Sequence, residues 1–458
     1  MATDAGKQGS FFVNRNFAVY WVGQTISRLG DWVFTLTLLV WITTIIARRP
    51  DGTFETWAPL AVSGELIAKS LPLLFFAPIA GVLADRWDKK RTMLAMDALR
   101  AILTASLLLV SGAVNLPFFA NGRPPALLQL GAMYVVVFCS SICSRLFSPS
   151  QFSLLGDLVP DADRERASAL QQGAASFSQI VGPPLAAPLL LIFGVSGALL
   201  LNALSFLVSL AAISAMRVPS TIRGELRNER RHFWRELSEG AGFVFKHRVV
   251  RTLLILGIVA GLGIGAVDAL VAFFTAENLH NTVESVGYLS GAVGAGAVVG
   301  SIVVSLFARH LRAERLLSLG TLALGASLIC YARMTSLFPA LAVSFLIGFF
   351  LVAVNIAAGP LLLRAVPRSL RGRVSSTSDS LQTLASLVSV ALPGYLASTI
   401  LLGFHQTIFG ITFGRIDTIF LGSGMLIVAS GVYALFNLQR AQTVADTEAE
   451  SVAVASAE

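Results

Sequence analysis

Nine ionisable residues stand inside long apolar stretches of this chain: Arg28 and Asp31, Glu65 and Lys69, Asp97 and Arg100, Arg145, Asp268 and Asp379. A charge in such surroundings is expensive and marks a functional position by default. The chemistry open to a carboxylate there is proton carriage, because burial disfavours its ionised form while a nearby cation favours it. Depth sorts the nine, at about 1.5 Å of helix per residue. Asp97, Arg100, Arg145 and Asp379 fall near the cytoplasmic ends of their stretches, where pairing or snorkelling accounts for them. Asp31, Glu65, Lys69 and Asp268 lie deeper and are the candidates for proton coupling. Glu65 precedes Lys69 by four residues, so the two share a helix face, and an ion pair with no other role accounts for them equally well. Asp31 is therefore the preferred proton carrier, with Asp268 in reserve.

The elements that must position these groups are membrane helices. Of 458 residues 55% are hydrophobic and 13% charged, about half the charged share of a soluble domain. Runs of about twenty apolar residues, each long enough to cross a bilayer, predict twelve helices. They lie near 17–47, 57–84, 92–114, 125–147, 166–193, 196–216, 252–275, 285–308, 316–335, 337–363, 375–402 and 412–438. The opening part of the first, from Phe17 to Arg28, reads as an amphipathic approach at the interface. Lys and Arg number 26 in the N-terminal segment, the even-numbered loops and the C-terminal tail, counting Arg145 and Arg166 at the cytoplasmic ends of their helices. Only 5 fall in the odd-numbered loops (Arg48, Arg49, Arg123, Arg333 and Arg415). Since cytoplasmic loops retain positive charge, both ends are expected inside the cell. The net charge of +8 is then a topology signal, and no nucleic-acid partner is needed to explain it.

The chain divides six plus six. A bundle over 1–216 is followed by a basic cytoplasmic linker over 217–251, a second bundle over 252–438 and a small, acidic, unstructured tail over 439–458. Within the linker, the segment from His232 to Phe245 suits either a helix on the anionic inner leaflet or a solvated connector. The stretch VPDADRERAS at 159–168 aligns without gaps with VPRSLRGRVS at 366–375. Val159, Pro160, Arg164, Arg166 and Ser168 meet Val366, Pro367, Arg371, Arg373 and Ser375. Both copies precede a helix at equivalent places in the two halves, so the halves are parallel repeats, an arrangement associated with secondary transporters.

The loop after the second helix reads Gly81-Val82-Leu83-Ala84-Asp85-Arg86-Trp87-Asp88-Lys89-Lys90-Arg91. It resembles the loop signature of the major facilitator superfamily, with Asp88 where a second Gly is usual. Asp85 at a helix end can receive the positive N-terminus of another helix, here the eleventh, expected to begin at Ser375 and Ser376. Gly81, Asp85, Arg86, Lys90, Arg91, Arg145, Arg371 and Arg373 are the candidate cytoplasmic gate, although Lys89, Lys90 and Arg91 serve equally as a positive-inside anchor. Gly182-Pro183-Pro184 in the fifth helix is similar to the antiporter motif of that superfamily, and an ordinary packing kink gives the same pattern. Glycines at 287, 291, 294, 296 and 300 give the eighth helix a face for close packing. The opening Trp21-Val22-Gly23-Gln24 through Gly30-Asp31-Trp32 and the run from Phe147 to Pro160 resemble the macrolide-efflux and enterobactin-exporter branch.

The resemblance implies a fold of two pseudo-symmetric six-helix bundles and proton-driven export of an amphipathic or hydrophobic small molecule from the plasma (inner) membrane by a monomer. A solute importer or facilitator, and a transport-dead receptor or lipid-moving protein, stand as alternatives on the same scaffold. No catalytic cluster, phosphate-binding loop or metal-ligand spacing occurs in the sequence, so neither an enzyme nor a cofactor is expected. Cys139, Cys143 and Cys330 all lie in apolar segments and read as packing residues.

Overall fold

The computed structural model describes residues 13–115, 124–160, 163–216, 242–307, 312–367, 370–408 and 411–455, with 117 and 119. Within these, the side chains of 77–86, 156–157, 307, 372–373, 376, 408, 411–412 and 439–455 are outside the description. The helices are α1 Arg15–Val40, α2 Ala58–Arg86, α3 Lys89–Val110, α4 Ala126–Leu158, then Arg164–Ala215, α7 Arg248–Glu277, α8 Val286–Phe307, α9 Ala313–Tyr331, α10 Leu337–Ala365, α11 Arg371–Tyr395 and α12 Arg415–Ala455. Arg164–Ala215 spans 52 residues and breaks at Gly194, whose φ is 64°. A side chain would strain that left-handed conformation. Its two arms, 164–193 and 195–215, are α5 and α6, which completes the expected twelve. Eleven helical stretches among the described residues are long and apolar enough to cross a membrane, the bent pair counting as one. Both α1 and α11 end in a short π-helical turn, Trp41–Ile46 and Leu396–Ile400.

Several boundaries differ from the sequence expectation, each for a local reason. The first helix has no separate interfacial approach. It runs unbroken from Arg15, with Asn14 Oδ1 accepting the Phe17 N–H at 2.7 Å, and it buries Phe17 and Tyr20 against its own bundle. Asp88 caps α3 in the same way, its Oδ1 taking the Arg91 N–H at 2.8 Å, so α3 begins three residues earlier than the apolar run suggests. The fourth helix continues through Pro149 to Leu158. The eleventh begins at Arg371, ahead of Ser375. The tail expected to be unstructured continues α12 to Ala455. That segment is rich in Ala, Glu and Gln and contains neither Gly nor Pro to stop a helix.

At its described residues the internal repeat has matching backbone bonds in both copies. Val159 and Val366 follow α4 and α10 with φ/ψ of −112°/125° and −111°/121°. Each donates its N–H to the carbonyl four residues back, Leu155 or Leu362, at 3.1 Å. The N–H groups of Asp163 and Leu370 then bond to the carbonyls of Pro160 and Pro367, both at 2.9 Å, and α5 or α11 begins at the next residue. The shared Val-Pro pair thus precedes matching bonds at the described positions of both copies.

Packing divides the chain into two compact units: Met1–Thr53, Ala68–Asn228 and Val286–Gly291 form the first, and Phe54–Ile67, Glu229–Ser285 and Ala292–Glu458 the second. The simple 216/252 division is modified, because the start of α2 packs with the second unit and the start of α8 with the first. In the first unit α1 lies along the α5–α6 pair and α3 packs on α4 and α5–α6, around Tyr20, Met93, Phe147 and Ile213. In the second, α9 packs on α10 and α12, and α7 on α11 and α12, around Leu256, Leu317 and Leu361. Bulky side chains such as Ile102, Leu191 and Phe338 remain exposed, as surfaces facing lipid do. Gly296 and Gly348 bring α8 and α10 into backbone contact. A Cβ on Gly296 would stand 1.9 Å from the Phe345 carbonyl oxygen, and one on Gly348 1.9 Å from that of Val293.

Candidate functional site

The first unit contains a continuous polar chain through its apolar interior. Asp31 on α1 accepts hydrogen bonds from Arg100 Nη2 of α3 at both carboxylate oxygens, each 3.0 Å away. Arg100 Nη1 lies 3.7 Å from Asp97 Oδ1, one helical turn earlier on α3. Asp97 Oδ2 accepts from Ser209 Oγ of α6 at 2.5 Å, and that hydroxyl accepts from Gln24 Nε2 of α1 at 2.6 Å. The guanidinium also lies over the Phe206 ring, 4.1 Å from its centroid, which shields it with a cation–π contact. Exposure falls steeply along the chain, from 42% for the Asp31 side chain to 11% for Arg100 and 1% for Asp97. One carboxylate is therefore open and the other sealed, with a single cation between them.

Small residues permit this arrangement. A Cβ at Gly30 would stand 2.2 Å from Ser205 Oγ, and one at Gly23 would stand 2.5 Å from Ala212 Cβ. Glycine at both positions lets α1 and α6 approach closely enough for Gln24 to reach Ser209. Three atoms at the centre, Asp97 Oδ1, Arg100 Nε and Asn202 Nδ2, are buried without a hydrogen bond.

Of the sequence candidates for coupling, Asp31 and Lys69 lie on the same side of the first unit. Lys69 Nζ is 3.3 Å from Thr35 Oγ1, and the Thr35 hydroxyl donates to the Asp31 carbonyl one turn away. Glu65, the other half of the expected i, i+4 pair, is buried on the portion of α2 that packs with the second unit, whereas Lys69 belongs to the portion that packs with the first. Asp268 is exposed on α7 of the second unit. Asp97 and Arg100, explained from the sequence by pairing or snorkelling near a helix end, do pair, and they are core members of the site. With α3 starting at Lys89, Arg100 lies about 16 Å along the helix axis at the usual rise per residue. The available signal was an acid and a base three residues apart, one helical turn, inside an apolar run.

Among the gate candidates, Lys90 and Arg371 have the hydrogen bonds of helix caps. Lys90 Nζ donates to the Ser214 and Met216 carbonyls at 2.9 and 2.6 Å, closing the end of α6. Arg371 donates to the Val366 and Leu363 carbonyls at 3.3 and 2.9 Å, closing α10. Arg91 is exposed, and Arg145 is half-buried with its Nε making no hydrogen bond. The side chains of Asp85, Arg86 and Arg373, and any side-chain environment of Gly81, lie outside the described residues. Gly182-Pro183-Pro184 keeps helical φ/ψ within α5. Trp32 fills the space beside Gly182, 2.7 Å from where a Cβ would be.

The second unit has a cavity of about 670 Å³ lined by His280, Arg333, His405 and Arg415 among others. Its charges are matched internally: Arg415 Nη2 meets Glu277 Oε1 at 2.5 Å, and Arg333 Nη1 meets Asp417 Oδ2 at 3.5 Å. No cluster of three His, Cys, Asp or Glu side chains able to hold a metal occurs among the described residues.

Twelve apolar helices, an internal sequence repeat and an ion-paired interior point to a membrane transport scaffold. The sequence model of the Major Facilitator Superfamily matches residues 20–390. The chain belongs to that superfamily. It is thus a multi-pass membrane transporter of small-molecule substrates. Among its relatives are YkuC of Bacillus subtilis, an uncharacterised MFS-type transporter, 24% identical over 94% of each chain. Macrolide efflux protein A of Streptococcus pyogenes is 21% identical, covering 84% of this chain and 90% of its own. Multidrug efflux pump Tap of Mycolicibacterium fortuitum is 24% identical, covering 81% and 85%. A bacterial homologue of the iron transporter ferroportin, solved in its inward-facing state, superposes with a TM-score of 0.71 at 14% identity, covering 92% of this facilitator and 98% of its own chain. That likeness establishes the shared fold.

Proposed function

We propose that this transporter exports an amphipathic or hydrophobic small molecule from the plasma membrane by proton antiport, with Asp31 as the proton-binding carboxylate. The observation that carries the reading is the Asp31–Arg100 pair, an accessible carboxylate on an apolar helix whose negative charge is held by one buried guanidinium. Protonation of Asp31 removes the charge that holds Arg100, and a cationic group on a substrate competes for the same carboxylate. Two states of one carboxylate thus give the two ligands, proton and cargo, mutually exclusive binding. The efflux relatives support the outward direction and an amphipathic or hydrophobic cargo.

A growth-protection screen against toxic compounds, with and without the gene, supplies the transported probe. That probe is then followed in proteoliposomes with an imposed pH gradient. Asp31→Asn should lose gradient-driven accumulation while retaining probe exchange in the absence of a gradient, since exchange needs the conformational cycle without net proton movement. Normal gradient-driven accumulation by Asp31→Asn, reconstituted at wild-type levels, would remove Asp31 from coupling.

A further inference from the structure

The centre of the first unit holds two carboxylates and one guanidinium, and their hydrogen bonding is unequal. Asp31 takes both of its bonds from Arg100 Nη2. Asp97 takes one bond from Ser209, while its second oxygen, Oδ1, is buried with none and faces Arg100 Nη1 across 3.7 Å. A buried carboxylate oxygen left without a donor is costly, and the nearest donor is a guanidinium already engaged by the more exposed acid.

We infer that Arg100 is a two-position cation, bound to Asp31 when that acid is ionised and passed to Asp97 Oδ1 when Asp31 takes a proton or a cationic substrate group. This rests on the proton-binding role of Asp31 for its place in transport, though the hand-over itself is a property of the three side chains. The proton enters from water at the exposed Asp31 carboxylate and stays there; Arg100 remains charged throughout and no proton passes through it. Asp97 serves as the standing counter-ion, keeping the guanidinium from being buried unpaired.

Among the described residues, the carboxylates in contact with Arg100 are Asp31 and Asp97. Lys69 comes from α2 and Arg28 shares α1 with Asp31, both cations. The fourth helix contributes Cys143, which lies within electrostatic range of Arg100 and Asp97. The sixth presents the neutral Asn202, Ser205, Phe206 and Ser209. When Arg100 closes on Asp97 it closes on the acid that also holds Ser209, and through Ser209 holds Gln24. The protonation state of α1 is thereby felt at the contact between α1 and α6, two turns along the same helix. Arg100 is a positioning residue in this account, acting through the two acids.

The test uses the full chain in lipid nanodiscs and needs no substrate. Thermal unfolding midpoints are measured for Asp31→Asn, Asp97→Asn, the double variant, and the double variant carrying Arg100→Met. Each single variant leaves Arg100 one carboxylate, so the midpoint lost in the double variant should exceed the sum of the single losses. Arg100→Met should restore it. Should the double variant not fold, recovery of folded protein on adding Arg100→Met carries the same comparison. A static ion triad would pass this test, so the structure of Asp31→Asn is determined as well. Arg100 Nη1 is expected to move from its present 3.7 Å separation to hydrogen-bonding distance of Asp97 Oδ1. Additive losses, failure of Arg100→Met to rescue, or a guanidinium that stays in place in Asp31→Asn would each overturn the hand-over. Full gradient-driven transport by Asp31→Asn would instead overturn the proton-site reading, whatever the unfolding midpoints show.

Discussion

Ser209 donates its hydroxyl hydrogen to Asp97 and accepts from Gln24, so one small side chain joins α1, α3 and α6. Ser209→Ala would leave a buried carboxylate oxygen and a buried amide without partners. The expected destabilisation is about 1–3 kcal/mol, read as a lower unfolding midpoint in nanodiscs, with exchange of the screen-derived probe falling in proportion to folded protein. At this scale the sequence revealed half of the site. Asp31 stood out because Glu65, the other deep acid near it in sequence, already had Lys69 one helical turn away. Its partner is Arg100, far along the chain on another helix, and only tertiary packing chooses between Arg100 and the other in-span cations. Lys69 shows the converse: its i, i+4 spacing from Glu65 was real, yet its ammonium is directed to Thr35 on the neighbouring helix. Spacing along one helix establishes that two groups can meet; the neighbouring helices decide whether they do.

Helix existence was legible almost throughout, because a twenty-residue apolar run has few other uses. Helix ends were less so, since they depend on individual caps. Asp88 starts α3, and the Val-Pro turns start α5 and α11 ahead of their apolar residues. The glycines of α8 illustrate both cases. Their packing role was readable, but only the structure distinguishes partners: Gly287 and Gly291 meet Pro183 and Pro184 within the first unit, while Gly296 and Gly300 meet α10 within the second. At Gly296 the obstacle is a backbone carbonyl oxygen that cannot rotate away. Gly296→Ala should therefore force α8 and α10 apart and cost about 1–3 kcal/mol or more, measured as a fall in unfolding midpoint. Gly261→Ala, where a Cβ has nothing within 4 Å, is the matched control and should leave the midpoint within error.

For the molecule as a whole, the charge asymmetry gives an orientation that can be checked directly. In a background with Cys139, Cys143 and Cys330 replaced, a cysteine at the exposed Thr53 should react with an impermeant reagent added to intact cells, and one at the exposed Lys246 should react only after permeabilisation. The reverse pattern would invert the topology. Two of the five arginines that break the charge pattern, Arg333 and Arg415, have Asp417 and Glu277 as partners, so each of these two exceptions is locally neutralised. The Lys90 cap has a mechanical consequence. The chain leaves α6 at Met216, and the last carbonyls of that helix are held by an ammonium rooted at the second residue of α3. The last turn of α6 therefore cannot unwind without breaking two hydrogen bonds to α3. The helix that holds it is the one carrying Asp97 and Arg100, so the end of α6 and the polar chain are anchored on the same element.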